Sequence, residues 1–77
     1  MIRSPRQKKL CEMLIAQRLK AGLTQTEVAK ALKRHQPFIA NIESGQRRLD
    51  VVELLAIAEV IGLDAGKVIR ELKKLPS

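Results

Sequence analysis

Leu10 and Leu14, then Val28, Ala29 and Leu32, Ile39 and Ile42, then Leu54, Leu55, Ala58 and Ile61, and finally Val68, Ile69 and Leu72 recur at spacings of three and four residues. Such spacing lines one face of an α-helix and leaves the opposite face polar. No stretch shows the sustained period of two that a half-buried strand requires. The helix ends are marked as well. Ser4, Thr24 and Asp50 each stand three residues ahead of Gln7, Glu27 and Glu53, the spacing at which side chains and backbone cap one another reciprocally. Asp64 offers a fourth start, and Gly22, Gly45, Gly62 and Pro76 supply stops, because glycine accepts the left-handed conformation that closes a helix and proline cannot continue one. These signals predict helices over 5–21, 25–32, 37–44, 51–61 and 65–75, with the apolar positions above as the core. Residues 1–4 and the stretch after Leu72 are expected to fray.

The fold class is therefore all-α, a compact five-helix bundle, and 77 residues make a single domain over 1–77. Charge narrows the partner. Fifteen Lys and Arg face eight Asp and Glu, giving +7, and so basic a surface suits a polyanion, either nucleic acid or an acidic membrane face. The segment LCEMLIAQ is too short and too polar for a membrane span or signal-peptide core. Cys11 has no second cysteine to pair with and stands among apolar residues, which fits a reducing, cytoplasmic setting. No Cys/His set has metal spacing, no nucleophile stands beside a base, and no glycine loop could cradle phosphate. An enzyme, a metal, a cofactor and a small-molecule substrate are all unexpected.

The predicted second and third helices are about eight residues long, too short to be stable alone, and only a few residues separate them. Short helices held at a steep angle across a short turn form a helix-turn-helix, whose second member enters the major groove. Its exposed face here carries Gln36, Pro37, Asn41 and Ser44, while Ile39 and Ile42 point inward. The stretch HQPFIANIESG holds one acid and no Lys or Arg, as expected of a surface that hydrogen-bonds base edges and leaves the phosphates to cations elsewhere. Arg34, Arg47 and Arg48 flank it on both sides, and His35 can touch a phosphate when protonated or be a plain polar turn residue. Arg3, Arg6, Lys8 and Lys9 offer a second basic cluster, for which a solvated helix start is the simpler account. Phe38 is the only aromatic residue, which argues against single-strand binding by stacked bases; it suits the edge of the core or, as the alternative, packing near DNA sugars.

Over residues 10–72, LIAQRLKAGLTQTEVAKAL followed by HQPFIANIESGQRRLDVVELLAIAEVIGLD resembles the Cro/cI-type helix-turn-helix family of phage repressors and related bacterial regulators, with the lambda-repressor-like fold. The resemblance implies that Gln25 binds a DNA phosphate and braces Gln36, that Gln36 reads a base, and that Arg18 of the first helix pairs with Glu43. With the residues above it assigns base reading to Gln36, Pro37 and Asn41, and backbone contacts to Gln25, Arg34, His35, Ser44, Arg47 and Arg48. Two positions depart from the pattern. Lys33 stands where the family usually places the glycine of the turn, and a non-glycine residue in the left-handed region costs about 1–2 kcal/mol. Pro37 offers only an apolar face, fit for a thymine methyl or for starting a helix rigidly.

A two-fold dimer would set two reading helices about 34 Å apart on one face of the DNA. Val60, Ile61, Leu63, Ala65, Val68 and Leu72 are the expected dimer surface, unless they only close the core. The expected function is a sequence-specific, double-stranded-DNA-binding transcriptional regulator, a homodimeric repressor on a palindromic operator. The rivals are an antitoxin-like module that binds a protein partner, and a charge-driven binder indifferent to sequence.

Overall fold

The computed structural model describes residues 4–76. Five helices follow one another as α1 (Pro5–Lys20), α2 (Gln25–Ala31), α3 (Gln36–Glu43), α4 (Val51–Ile61) and α5 (Ala65–Lys73), and no strand occurs among the described residues. The bounds fall within two residues of those expected. The shift at α3 matters most, because it brings Gln36 into the first turn of that helix, ahead of Pro37.

Capping explains where the helices begin. Thr24 Oγ1 accepts from the Glu27 amide at 3.0 Å and Glu27 Oε1 accepts from the Thr24 amide at 2.9 Å. Asp50 and Glu53 repeat the reciprocal pattern at 2.7 and 3.0 Å, so two orphan amides are satisfied at each start. At α1 the exchange runs one way: Ser4 Oγ accepts from the Gln7 amide at 3.0 Å, but the Gln7 side-chain Nε2 is buried without a partner. Asp64 Oδ1 caps α5 through the Lys67 amide at 3.2 Å. After Leu72, α5 stops at Lys73, two residues short of the expected end, and the Arg6 Nε donates to the Leu75 carbonyl at 2.8 Å. The remaining expectations for the start of the chain, including Arg3, fall on residues 1–3, outside the described ones.

Leu14, Val28, Ala29, Ile39, Ile42, Leu54, Ile57 and Ile61 make one buried cluster, and Cys11, Ala58 and Val68 are buried beside them. Each fully buried aliphatic side chain contributes about 1.5–3 kcal/mol, so α2 and α3 are held by this cluster and not by their own length. Two expected core residues are corrected: Leu55 is 50% exposed and Ile69 43% exposed. The inward stripe of α4 is Leu54, Ile57, Ala58 and Ile61, a register in which Ile57 takes the place assigned to Leu55. On so apolar a helix, spacing alone fits either choice.

Lys33 does adopt the left-handed conformation, with φ of 58°, as the Arg34 amide turns back to the Ala29 carbonyl at 2.8 Å. Lys33→Gly is expected to stabilise the fold by about 1 kcal/mol, the relief of strain less the extra entropy of an unfolded glycine. A thermal melt of the variant that is unchanged or lower contradicts this.

Candidate nucleic-acid interface

The site begins with a buried carboxylate. Glu43 lies on the last turn of α3 and is 8% exposed. From α1, Arg18 meets it with two parallel bonds, Nε to Oε2 at 2.7 Å and Nη2 to Oε1 at 3.1 Å, while Nη1 donates to the Leu23 carbonyl at 2.8 Å. The expected Arg18–Glu43 pair therefore forms, and it ties α1 to both α3 and the turn before α2. A fork-to-fork arginine–carboxylate pair is geometrically specific as well as strong.

The bonding continues outward. Gln25, first residue of α2, donates from Nε2 to Glu43 Oε1 at 2.8 Å. Gln36 donates from Nε2 to Gln25 Oε1 at 2.7 Å. The direction of every bond follows from the first member, because an ionised carboxylate only accepts. Gln25 must turn its NH2 toward Glu43, which turns its carbonyl oxygen toward Gln36, which must then answer with its own NH2. Gln36 is left with one N–H and its Oε1 unused. The eleven-residue spacing of the two glutamines thus places them in direct contact, with an amide of set polarity at the end.

Pro37, Asn41 and Ser44 are exposed, and their spacing makes one stripe beside Gln36. The Asn41 carbonyl accepts from the Gln46 and Arg47 amides at 3.0 Å each and from Ser44 Oγ at 3.2 Å, which anchors the backbone under the stripe. His35 is exposed and precedes α3 without a side-chain cap. Cys11 Sγ donates to the Ile42 carbonyl at 3.3 Å, fixing α3 from behind; burial raises this thiol above its ordinary range.

The arginines divide into three kinds. Arg34 and Arg47 hold their guanidinium groups over the Phe38 ring, 4.0 and 4.7 Å from its centroid. Phe38 packs half-buried against the core edge, as expected, and in addition serves as a platform for two cations. Arg47 is further engaged by Glu53, with bonds of 3.1 and 2.8 Å, and donates to the Arg48 carbonyl at 2.9 Å. Arg48 itself is exposed. The sequence reading missed Glu53 as a counter-charge, because its place in a capping box already accounted for an acid there.

The Arg47 guanidinium, and next the Asp50 amide, hold the Glu53 carboxyl down from its ordinary 4.5 to about 2. A carboxyl whose folded value is lowered contributes stability above its unfolded value, and that contribution is lost as pH falls from about 4.5 toward 2. Glu53→Gln retains the capping geometry and removes the charge. Urea midpoints measured at pH 5 and pH 2 are expected to differ less in the variant than in the parent; equal acid sensitivity in both overturns this.

The expected dimer surface is corrected at two positions. Ile61 and Val68 are 2% and 0% exposed, and so belong to the core. Val60, Leu63 and Ala65 pack half-buried against the same core, and Leu72 is half-buried.

Comparison with known proteins bears on the whole arrangement. A family model described as Helix-turn-helix matches residues 14–68. The chain belongs to the helix-turn-helix family. Among solved structures, this helix-turn-helix protein is similar to an XRE-family like protein from Pseudomonas syringae pv. tomato str. DC3000, with 36% identity and a TM-score of 0.83 over 90% of this chain and 84% of that one. Two structures of the clp gene regulator ClgR from Corynebacterium glutamicum share the fold. One has 19% identity and a TM-score of 0.80 over 100% of both chains. The other has 20% and 0.78 over 90% of this chain and 73% of that one. No curated protein matches the sequence. Family membership carries a coarse function, a DNA-binding regulator of transcription. Among the described residues, no helix is long and apolar enough to cross a membrane.

Proposed function

We propose that the protein is a sequence-specific repressor that binds a palindromic double-stranded operator as a homodimer, with α3 in the major groove. The observation that carries this reading is the bonded chain from Arg18 through Glu43 and Gln25 to Gln36. It supports a role for Gln36 at an adenine, whose N7 takes the free N–H while its N6 amine donates to Oε1. Asn41, whose side chain is exposed on the same helix, is a second base reader, and Pro37 offers a thymine methyl an apolar face.

In this reading Gln25, Arg34, His35, Ser44, Arg47 and Arg48 meet the sugar–phosphate backbone, which positions the helix without choosing a sequence. Arg34 arrives already ordered on Phe38, so less side-chain entropy is lost on binding. A homodimer seated on an operator keeps other proteins from the same groove, which makes repression the expected mode.

Selection of random duplexes at physiological salt tests the proposal. Enrichment of a palindrome with centres about 10–10.5 base pairs apart, or a multiple of that, is the expected result. Salt-sensitive affinity with no enriched sequence overturns it in favour of charge-driven binding, and absence of DNA binding beside a co-purifying protein overturns it in favour of a protein-interaction module.

A further inference from the structure

Most of the positive charge of this chain lies away from the reading helix. Residues 25–43, which hold α2 and α3, contain Lys30, Lys33 and Arg34 against Glu27 and Glu43, so the helix-turn-helix is nearly neutral. Just beyond it, Arg47 is matched by Glu53. Helix α1, by contrast, carries Arg6, Lys8, Lys9 and Lys20 beside the inward Arg18, with Glu12 as its one acid. Over 65–74, Lys67, Arg70, Lys73 and Lys74 stand against Glu71 alone.

The fold joins these two groups. The Arg6 Nε donates to the Leu75 carbonyl at 2.8 Å, and Gln17 Nε2 donates to the Ile61 and Gly62 carbonyls at 3.1 and 3.3 Å, just ahead of α5. The two helices therefore run antiparallel, with a shallow groove between them lined by Met13, Ala16, Gln17, Lys20, Leu63 and Lys67. Cys11, Leu14 and Arg18 turn toward the core and α3. At about 100° per residue, Lys9, Met13, Ala16 and Lys20 fall on the opposite side of α1. The basic seam accordingly lies on the side of α1 away from the reading helix.

Lys74 pairs with Glu71 at 3.0 Å and the exposed Arg70 with Asp64 at 3.7 Å, while among the described residues Lys9, Lys20 and Lys67 make no ion pair. Unpaired like charges along one groove repel one another and attract a polyanion. From Lys9 to Lys20 the seam spans about 16 Å of helix, a length over which duplex DNA presents about ten phosphates. An anionic membrane suits it less, because interfacial helices sink a broad apolar face, whereas in α5 Val68 is buried and Ile69 is the exposed large hydrophobe.

We propose that the α1–α5 seam binds the phosphate backbone of a second DNA duplex without regard to sequence, while α3 serves the first. The protein then bridges two duplexes, or two segments of one. This goes beyond the operator reading, and the test separates the two.

The duplex enriched by selection is fixed to beads, and capture of a second, fluorescent duplex of random sequence is measured. Wild type is compared with Lys9→Gln/Lys20→Gln/Lys67→Gln, after circular dichroism shows both folded. The variant is expected to hold the bead duplex as the wild type does and to capture about tenfold less of the second or lower, with a salt slope of capture shallower by about 3. Capture that survives in the variant is bridging by the two reading helices of a dimer and overturns the proposal. An equal loss on the bead duplex overturns it as well, since the lysines then act on a single duplex or through overall charge. A wild type that captures no second duplex but binds vesicles of phosphatidylglycerol and phosphatidylcholine gives the seam to lipid; one that does neither leaves it solvated, and both results sink the idea. Should selection enrich no sequence, the operator reading fails by itself, and amide chemical shifts on titration with a random duplex decide. Shifts along the seam as well as in α3 uphold the proposal, and shifts confined to α2 and α3 overturn it.

Discussion

Arg18→Met is expected to cost the fold about 3–5 kcal/mol, since it leaves the Glu43 carboxylate buried with Gln25 as its only side-chain donor. For a domain of this size each kcal/mol is worth about 4–8 °C, so the melting temperature should drop by roughly 12–40 °C. Such a loss is a large part of the ~5–15 kcal/mol by which small domains are stable. Denaturant titration decides, and a loss below about 1 kcal/mol means that the pair is solvated in solution.

The double variant Arg18→Met/Glu43→Leu separates two roles of the pair. Both side chains border the same small internal gap as Leu14, Val28, Ile39, Ile42, Ile57 and Ile61. Apolar replacements extend the core there, and exchange of a buried pair for packed hydrophobes is often neutral in stability. Much of the stability should therefore return. Sequence preference should not, because without the carboxylate nothing dictates which way the Gln25 amide turns, and Gln36 loses its set polarity with it. The ion pair is then retained for orientation more than for stability.

The helices were legible from their caps, because a capping residue and its partner three positions on act locally and leave a local signature. Thr24 with Glu27 and Asp50 with Glu53 place the starts of α2 and α4 where the spacing puts them. The contact between Gln25 and Gln36 and the Arg18–Glu43 pair were reached only through family resemblance, since no local rule ties residues eleven or twenty-five apart. What stayed hidden was orientation on an apolar helix. Leu54, Leu55 and Ile57 are interchangeable to any period-based reading, and only packing of α4 on α1, α2 and α5 decides which of them faces out. The Arg47–Glu53 bond was hidden for a different reason: one carboxylate can cap with one oxygen and pair with both, and a sequence records only that an acid is present.

Gln36→Ala carries the second large effect, on recognition alone. The side chain is half-buried at the rim of the network, so truncation leaves Gln25 still anchored by Glu43 at 2.8 Å and the melting temperature nearly unchanged. On the preferred operator the loss is expected to be about 1–3 kcal/mol per half-site, or ~5- to 150-fold, with preference relaxed at one base pair in each half. Gln36→Glu is the sharper variant. A carboxylate cannot donate to Gln25 Oε1, so two acceptors meet, and turning the Gln25 amide to relieve them only sets its oxygen against Glu43. The network cannot satisfy both ends, so affinity for the adenine-bearing site should fall further than in Gln36→Ala, while any residual preference shifts toward cytosine, whose N4 amine a carboxylate accepts. A loss uniform over all sequences in Gln36→Ala assigns this residue to the phosphate backbone, and base choice then passes to Asn41 and Pro37, the exposed side chains beside it on α3.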